Sequence, residues 1–191
     1  MNNWQDNYLF YSWEGFKNAA NKLGGKIQAS GKKFDLIVSI ARGGLSLSQI
    51  LSDYLNLTIA TFTIISYKDM TNTQMPQITY RLSASLINHK ILLVDDVSDT
   101  GKTFIRGIEH LVELGAKKTD IQTASLNIKP HTTHFPDFYV GKTNKWIIYP
   151  YEVRETIKAL KETWKKDKLN PTQIQNRLKK LGFTDSDLKF L

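Results

Sequence analysis

Two adjacent carboxylates, Asp95 and Asp96, close the apolar run Ile91-Leu92-Leu93-Val94. A cluster of small and hydroxyl residues follows at once, Ser98-Asp99-Thr100-Gly101-Lys102-Thr103. A turn of this kind that opens a helix presents unpaired backbone N–H groups and the positive end of the helix dipole, which suits a phosphate. Acidic side chains beside such a cradle call for a divalent cation or sugar hydroxyls. The Gly-x-x-x-x-Gly-Lys-Ser/Thr loop of nucleotide hydrolases is excluded, because no glycine stands five positions before Gly101.

These residues need elements to position them. Ile91–Val94 predicts a strand buried on both faces in a parallel sheet, and Phe104, Ile108, Leu111 and Leu114 fall on one face of the helix that follows. Ligands of such sheets sit beyond the carboxyl ends of the strands. A second unit has the same layout. Phe34–Ile40 predicts a strand, Ala41-Arg42-Gly43-Gly44 a turn, and Leu47, Ile50, Leu51, Tyr54 and Leu55 a helix. The glycines allow backbone to approach a ligand, and the Arg42 guanidinium has a fork geometry for phosphate oxygens. Alone, Arg-Gly-Gly reads equally as a tight strand-to-helix turn.

Together, the apolar strand, Asp-Asp and Asp-Thr-Gly-x-Thr resemble the phosphoribosyl-pyrophosphate (PRPP) signature of type I phosphoribosyltransferases. The Arg42–Gly43 turn is similar to that family's pyrophosphate loop. The resemblance covers about residues 30–152. It implies an α/β fold with a central, mostly parallel sheet flanked by helices and a hood over the site. The domain is expected over 1–151, with the hood at about 67–86, and the C-terminal residues 152–191, outside the resemblance, read as a helical appendage. The reaction implied is transfer of the 5-phosphoribosyl group from PRPP to a purine base, with release of pyrophosphate and Mg²⁺ as the cofactor.

By the same resemblance, Asp99, Thr100, Gly101, Lys102 and Thr103 hold the 5-phosphate. Asp95 and Asp96 bind the ribose hydroxyls directly or through the metal, and Asp99 is the base near the attacking nitrogen. Arg42 and Gly43 bind pyrophosphate. Lys129, Trp146 and Ile147 form the base site, in a layout similar to 6-oxopurine enzymes of the xanthine–guanine type. Tyr151 and Glu152 depart from that type's Pro-Trp-Asp ending, so guanine, xanthine and hypoxanthine all stay open. Lys129 also reads as an edge-strand lysine, and Trp146 as a core aromatic. Ser66-Tyr67 matches a Ser-Tyr pair in the hood of purine-salvage members. Water exclusion gives such a lid a purpose. The polar stretch from Tyr67 to about Tyr80 also reads as a surface loop, with Arg81–Leu86 as a second hairpin arm.

The rest of the chain is less specific. Ser12 is a candidate cap for a helix carrying Phe16, Ala20, Leu23 and Ile27, with Gly24-Gly25 as an early stop. Ile59–Ser66, Thr119–Ile128, Asp137–Val140 and Trp146–Ile148 predict strands. His131 and His134 read as a surface loop in preference to a metal pair, since no third ligand stands nearby. After Pro150, Glu155–Lys168 predicts a helix with Ile157, Leu160 and Trp164 inward. Asn170-Pro171 starts a second helix, which Gly182 stops. The lysines here (158, 161, 165, 166, 168, 179 and 180) read as a solvated face before a nucleic-acid surface.

Composition bounds the remaining choices. The 191 residues are 41% hydrophobic, enough for one α/β domain with an appendage. There is no cysteine, so disulfides and thiolate metal sites are excluded. No membrane span or signal peptide is expected, and the cytoplasm is the expected location. The formal charge of +8 suits polyanionic ligands. Expected partners are PRPP, a purine base, the nucleoside monophosphate, and further copies of the chain as a dimer or tetramer. The competing function, of a different class, is a non-catalytic PRPP or nucleotide sensor of the same fold that binds nucleic acid through the basic appendage.

Overall fold

The structure is a computed structural model and describes residues 4–65 and 76–189. In chain order the elements are β1 (Tyr8–Phe10), α1 (Trp13–Ala29), β2 (Leu36–Ala41), α2 (Gly44–Leu55), β3 (Thr58–Ile65), β4 (Gln77–Tyr80), β5 (Ile91–Ser98), α3 (Lys102–Glu113), β6 (Ile121–Ile128), β7 (Phe138–Lys142), β8 (Trp146–Ile148), α4 (Val153–Lys166), α5 (Pro171–Leu181) and α6 (Asp185–Lys189). They form two compact units. One is Lys17–Thr143, and the other joins Met1–Phe16 to Asn144–Leu191. The second unit joins the two ends of the chain, where β8 pairs with β1.

Within Lys17–Thr143, six strands lie in the order β4-β3-β2-β5-β6-β7. All neighbours are parallel except β3 and β4. This is the mostly parallel α/β sheet expected. The strands read as apolar runs because both faces are covered. Val38, Ile40, Phe62, Ile91 and Leu93 share one core with Phe104 and Leu111 of α3. Ile37, Leu92, Leu47, Leu51, Ala20, Leu23 and Ile27 are buried as well.

Several boundaries differ from the sequence reading. Helix α1 runs through Gly24-Gly25, since the Tyr54 ring lies on Gly24, where a Cβ would come within 2.7 Å of it. Ser12 accepts the Gly15 N–H at 3.0 Å, as the cap requires. Strand β5 continues past Val94 to Ser98, so the two aspartates are strand residues. The hairpin arm is Gln77–Tyr80, and not Arg81–Leu86. Leu86 is instead drawn into the core beside α3, its N–H bonded to Leu114 O at 2.9 Å. Ser66, Tyr67 and most of the expected hood lie outside the described residues.

In the other unit, β1 and β8 form a two-stranded parallel ladder, Tyr8 opposite Trp146 and Phe10 opposite Ile148. So short a ladder needs a core to lie on. Ile148, Ile157, Leu160, Trp164, Ile174, Leu178, Leu181 and Phe183 supply it, with Trp4, Tyr8 and Phe10 against them. The rings of Tyr11, Tyr149 and Tyr151 stack in sequence at 5.7 and 5.4 Å. Helix α5 starts in a capping box between Asn170 and Gln173, and Gly182 ends it. Among the described residues, no helix is long and apolar enough to cross a membrane.

His110 of α3 is fully buried against the Phe62 ring, 5.1 Å between centroids. Its Nδ1 lies 3.4 Å from Glu113 Oε2, and Nε2 has no partner among the described residues. A neutral ring protonated on Nδ1 fits, because a second N–H would be buried without an acceptor. Burial accordingly holds the His110 pKa below 6.5, with Glu113 pulling upward and Arg81 and Arg106 adding to the depression. The unfolded chain therefore binds a proton that the native state refuses, and stability falls as pH drops below about 6.5. The urea midpoint should decrease between pH 7 and pH 5, with a shallower decrease in His110→Leu.

Candidate active site

The carboxyl ends of β2, β5 and β6 carry most of the residues singled out from the sequence. The turn Arg42–Gly43 follows β2 directly, and the peptide between Ala41 and Arg42 is cis. Asp95 and Asp96 sit near the end of β5, 8% and 7% exposed. Asp95 Oδ1 accepts the Asp96 N–H at 3.0 Å. The Asp96 carboxylate lies against Gly43 so closely that a Cβ there would fall 2.6 Å from Oδ2. One residue on, a Cβ at Gly44 would fall 2.5 Å from Val94 O. The ends of β2 and β5 thus approach closely, with the Asp96 carboxylate at the seam and Asp95 beside it in sequence. Buried carboxylate oxygens suit a hard divalent cation that keeps its other ligands from water and phosphate. Among the described residues, no group of three or more acidic, histidine or cysteine side chains stands ready for a metal.

The turn after β5 leads into α3. Asp99 and Thr100 are exposed, Gly101 is buried, and Lys102 and Thr103 are half-buried. No side chain caps α3 at Gly101, which leaves the amino end of the helix to backbone donors. Gly101 has φ +84°, and a Cβ there would meet His134 N at 2.4 Å. The segment after β6 explains that closeness. Lys129 N donates to Ser98 O at 3.0 Å. Thr133 donates to Thr100 O from its N–H at 3.1 Å and its hydroxyl at 2.7 Å. Ser98 Oγ lies 2.8 Å from Thr132 Oγ1 and donates to His134 O at 2.7 Å.

The two histidines take separate partners. His131 Nε2 lies 2.8 Å from Asp99 Oδ1. The His134 ring stacks on Phe104 at 5.2 Å, with Nε2 3.1 Å from Thr123 Oγ1. Burial lowers the His134 pKa, against an opposing pull from Asp137. Lys129 is half-buried, and that burial draws its pKa down while Asp99 pulls it up. Nothing in the order of residues marked His131 as a partner of Asp99, since the two are bonded across 32 positions. The spacing of His131 and His134 held only a faint metal signal. Trp146 and Ile147 lie in the other compact unit, at the start and centre of β8. Trp146 is exposed, packed at 6.2 Å on Tyr8, and Ile147 is buried opposite Leu9.

A mostly parallel sheet with acidic and glycine-rich turns at the carboxyl ends of adjacent strands is an α/β architecture of the class whose ligands sit beyond those strand ends. Within that class the chain belongs to the phosphoribosyl transferase family, whose domain model matches residues 9–156. Among solved structures it is similar to a purine phosphoribosyltransferase from Pyrococcus horikoshii, at 35% identity and TM-score 0.67 over 76% of this chain and 94% of that one. The xanthine-guanine-hypoxanthine phosphoribosyltransferase of Helicobacter pylori shares the fold at 23% identity, TM-score 0.64, over 81% and 97%. A Neisseria gonorrhoeae protein crystallised with bound ppGpp shares it at 20%, TM-score 0.66, over 77% and 90%.

Gly101→Ala should lower the thermal midpoint more than Gly31→Ala. Both put a side chain on left-handed backbone, φ +84° and +70°, but nothing lies within 4 Å of a Cβ at Gly31. The backbone cost is ~1–2 kcal/mol, and each kcal/mol is worth roughly 2–4 °C in a chain of this size. Gly31→Ala should show that amount alone, and differential scanning calorimetry would resolve the excess at Gly101.

Proposed function

We propose that the protein transfers the 5-phosphoribosyl group from PRPP to a 6-oxopurine, guanine, xanthine or hypoxanthine, and releases pyrophosphate, in purine salvage. The observation that carries this reading is the seam of Gly43 with Asp96, beside a phosphate-type turn at residues 99–103, in a chain of the phosphoribosyl transferase family. The likeness to the Pyrococcus enzyme supports a purine as the acceptor. The C-terminal helices would then be an addition to the transferase domain.

The backbone N–H groups of Thr100–Thr103 and the threonine hydroxyls bind the 5-phosphate, and the positive end of α3 favours its charge. Arg42 and the Gly43 main chain bind pyrophosphate. Asp95 and Asp96 face the ribose. They fit Mg²⁺ as oxygen donors, and when bound that ion neutralises pyrophosphate charge. As the bond from C1 to pyrophosphate breaks, positive charge grows on the sugar, and the aspartates stabilise it electrostatically. A ring nitrogen of the purine forms the new bond to C1, and Asp99 takes the proton that nitrogen loses. Lys129 donates to the 6-oxygen of the base. Trp146 and Ile147 are assigned to the ring from the sequence layout alone.

Purified protein with PRPP and Mg²⁺ should convert at least one of guanine, xanthine and hypoxanthine to its monophosphate, in preference to adenine, uracil and orotate. Failure with every base would sink the proposal. Asp99→Asn should lower kcat by roughly 10²–10⁴. Lys129→Met should raise the KM for the base about tenfold or more, because a charged hydrogen bond is worth ~1.5–3 kcal/mol. Steady-state kinetics in both substrates would check each.

The competing reading is a nucleotide sensor of the same fold that binds nucleic acid through the lysines of α4 and α5. The ppGpp held by the Neisseria protein favours keeping it in view. It expects no turnover, together with RNA or DNA binding that weakens steeply with salt.

A further inference from the structure

We propose that His131 is a positioning residue for Asp99. It fixes which carboxylate oxygen faces the base nitrogen. The inference deepens the reading above and rests on it.

An ionised carboxylate only accepts hydrogen bonds, so the 2.8 Å contact requires the proton on His131 Nε2, which donates to Asp99 Oδ1. Oδ2 is then left as the acceptor for the proton released by the purine. The pair is exposed, 62% and 61% for the two side chains. An exposed side-chain contact of this kind adds little to stability. The contact therefore needs another source of order, and the surrounding main chain supplies it. On one side of His131, Lys129 N is bonded to Ser98 O. On the other, Thr133 is bonded twice to Thr100 O. Thr132 N closes the turn on Lys129 O at 3.1 Å, and Thr132 Oγ1 meets Ser98 Oγ. The Phe104–His134 stack holds the far end. Residues on both sides of Asp99 are thus fastened to residues on both sides of His131, which keeps the two side chains within reach of each other. Lys129 is the other charged group coupled to Asp99. It acts on the carboxylate through space, whereas His131 bonds a single oxygen of it. Orientation of a proton acceptor alters the rate of the chemical step and not the affinity for the phosphorylated substrate.

The test is steady-state kinetics of the full chain with PRPP and its preferred purine. His131→Ala should lower kcat about tenfold, with the PRPP KM unchanged within twofold. His131→Gln, whose side-chain amide keeps an N–H donor, should recover most of the loss. In an Asp99→Asn background, His131→Ala should change nothing further. Wild-type kcat in His131→Ala would overturn the proposal. So would His131→Gln as slow as His131→Ala, or the same tenfold loss without the Asp99 carboxylate. If the unmodified protein makes no nucleotide from any purine, the transferase reading falls and takes this one with it. The wild-type assay thereby separates the two failures.

Discussion

The close approach of backbone at the ends of β2 and β5 is the constraint on which the rest of the site depends. At Gly43 and Gly44 there is no room for a Cβ, because the Asp96 carboxylate and the Val94 carbonyl occupy that space. Parallel pairing of β2 with β5 from Leu36–Ile91 to Ser39–Val94 brings the two turns out at one level. With side chains at both glycine positions, either the strand register or the two aspartates would have to move. The acidic pair, the arginine turn and the start of α3 are therefore one construction, held by the sheet beneath them.

The segment after β6 completes it from the other side. Its backbone closes on Ser98 and Thr100, the residues that flank Asp99. The turn into α3 is fastened although its tip is exposed, because the Ser98 and Thr100 carbonyls are engaged by Lys129 and Thr133. A loop fastened in this way can present its backbone N–H groups to a ligand without collapsing onto them. The second compact unit solves a different problem. Three residues of β1 and three of β8 could not stand alone, and the aromatic and aliphatic side chains of α4 and α5 give them a core. Arg177 closes that core at its rim, its guanidinium 4.8 Å from the Trp4 ring and 5.5 Å from that of Trp164.

Legibility followed the range of the interactions. The stretch Ile91–Thr103 was readable because its meaning is local. Apolar residues make a buried strand, which runs on through the two carboxylates to Ser98, and small residues open a helix. The Asn170-Pro171 start of α5 and its Gly182 stop were readable for the same reason. Helix α1 was misjudged at Gly24-Gly25, where local propensity argues for a break and the Tyr54 ring from α2 makes the absence of side chains useful. The hairpin arm was misplaced because burial of Leu86 beside α3 overrides the pattern of Arg81–Leu86. Strand β1 was missed altogether, since three residues carry no period and their partner lies at Trp146–Ile148.

What the sequence determined by itself was the α/β class and the resemblance to the phosphoribosyl transferase family, which the family match bears out. Residue type and short spacing suffice for those. Only the tertiary structure decided that Asp96 rests on Gly43, that residues 129–134 clasp residues 98–100, and that His131 bonds Asp99. Each of these joins positions far apart in the chain. Their meeting is set by the order and register of strands in the sheet, which no local pattern encodes.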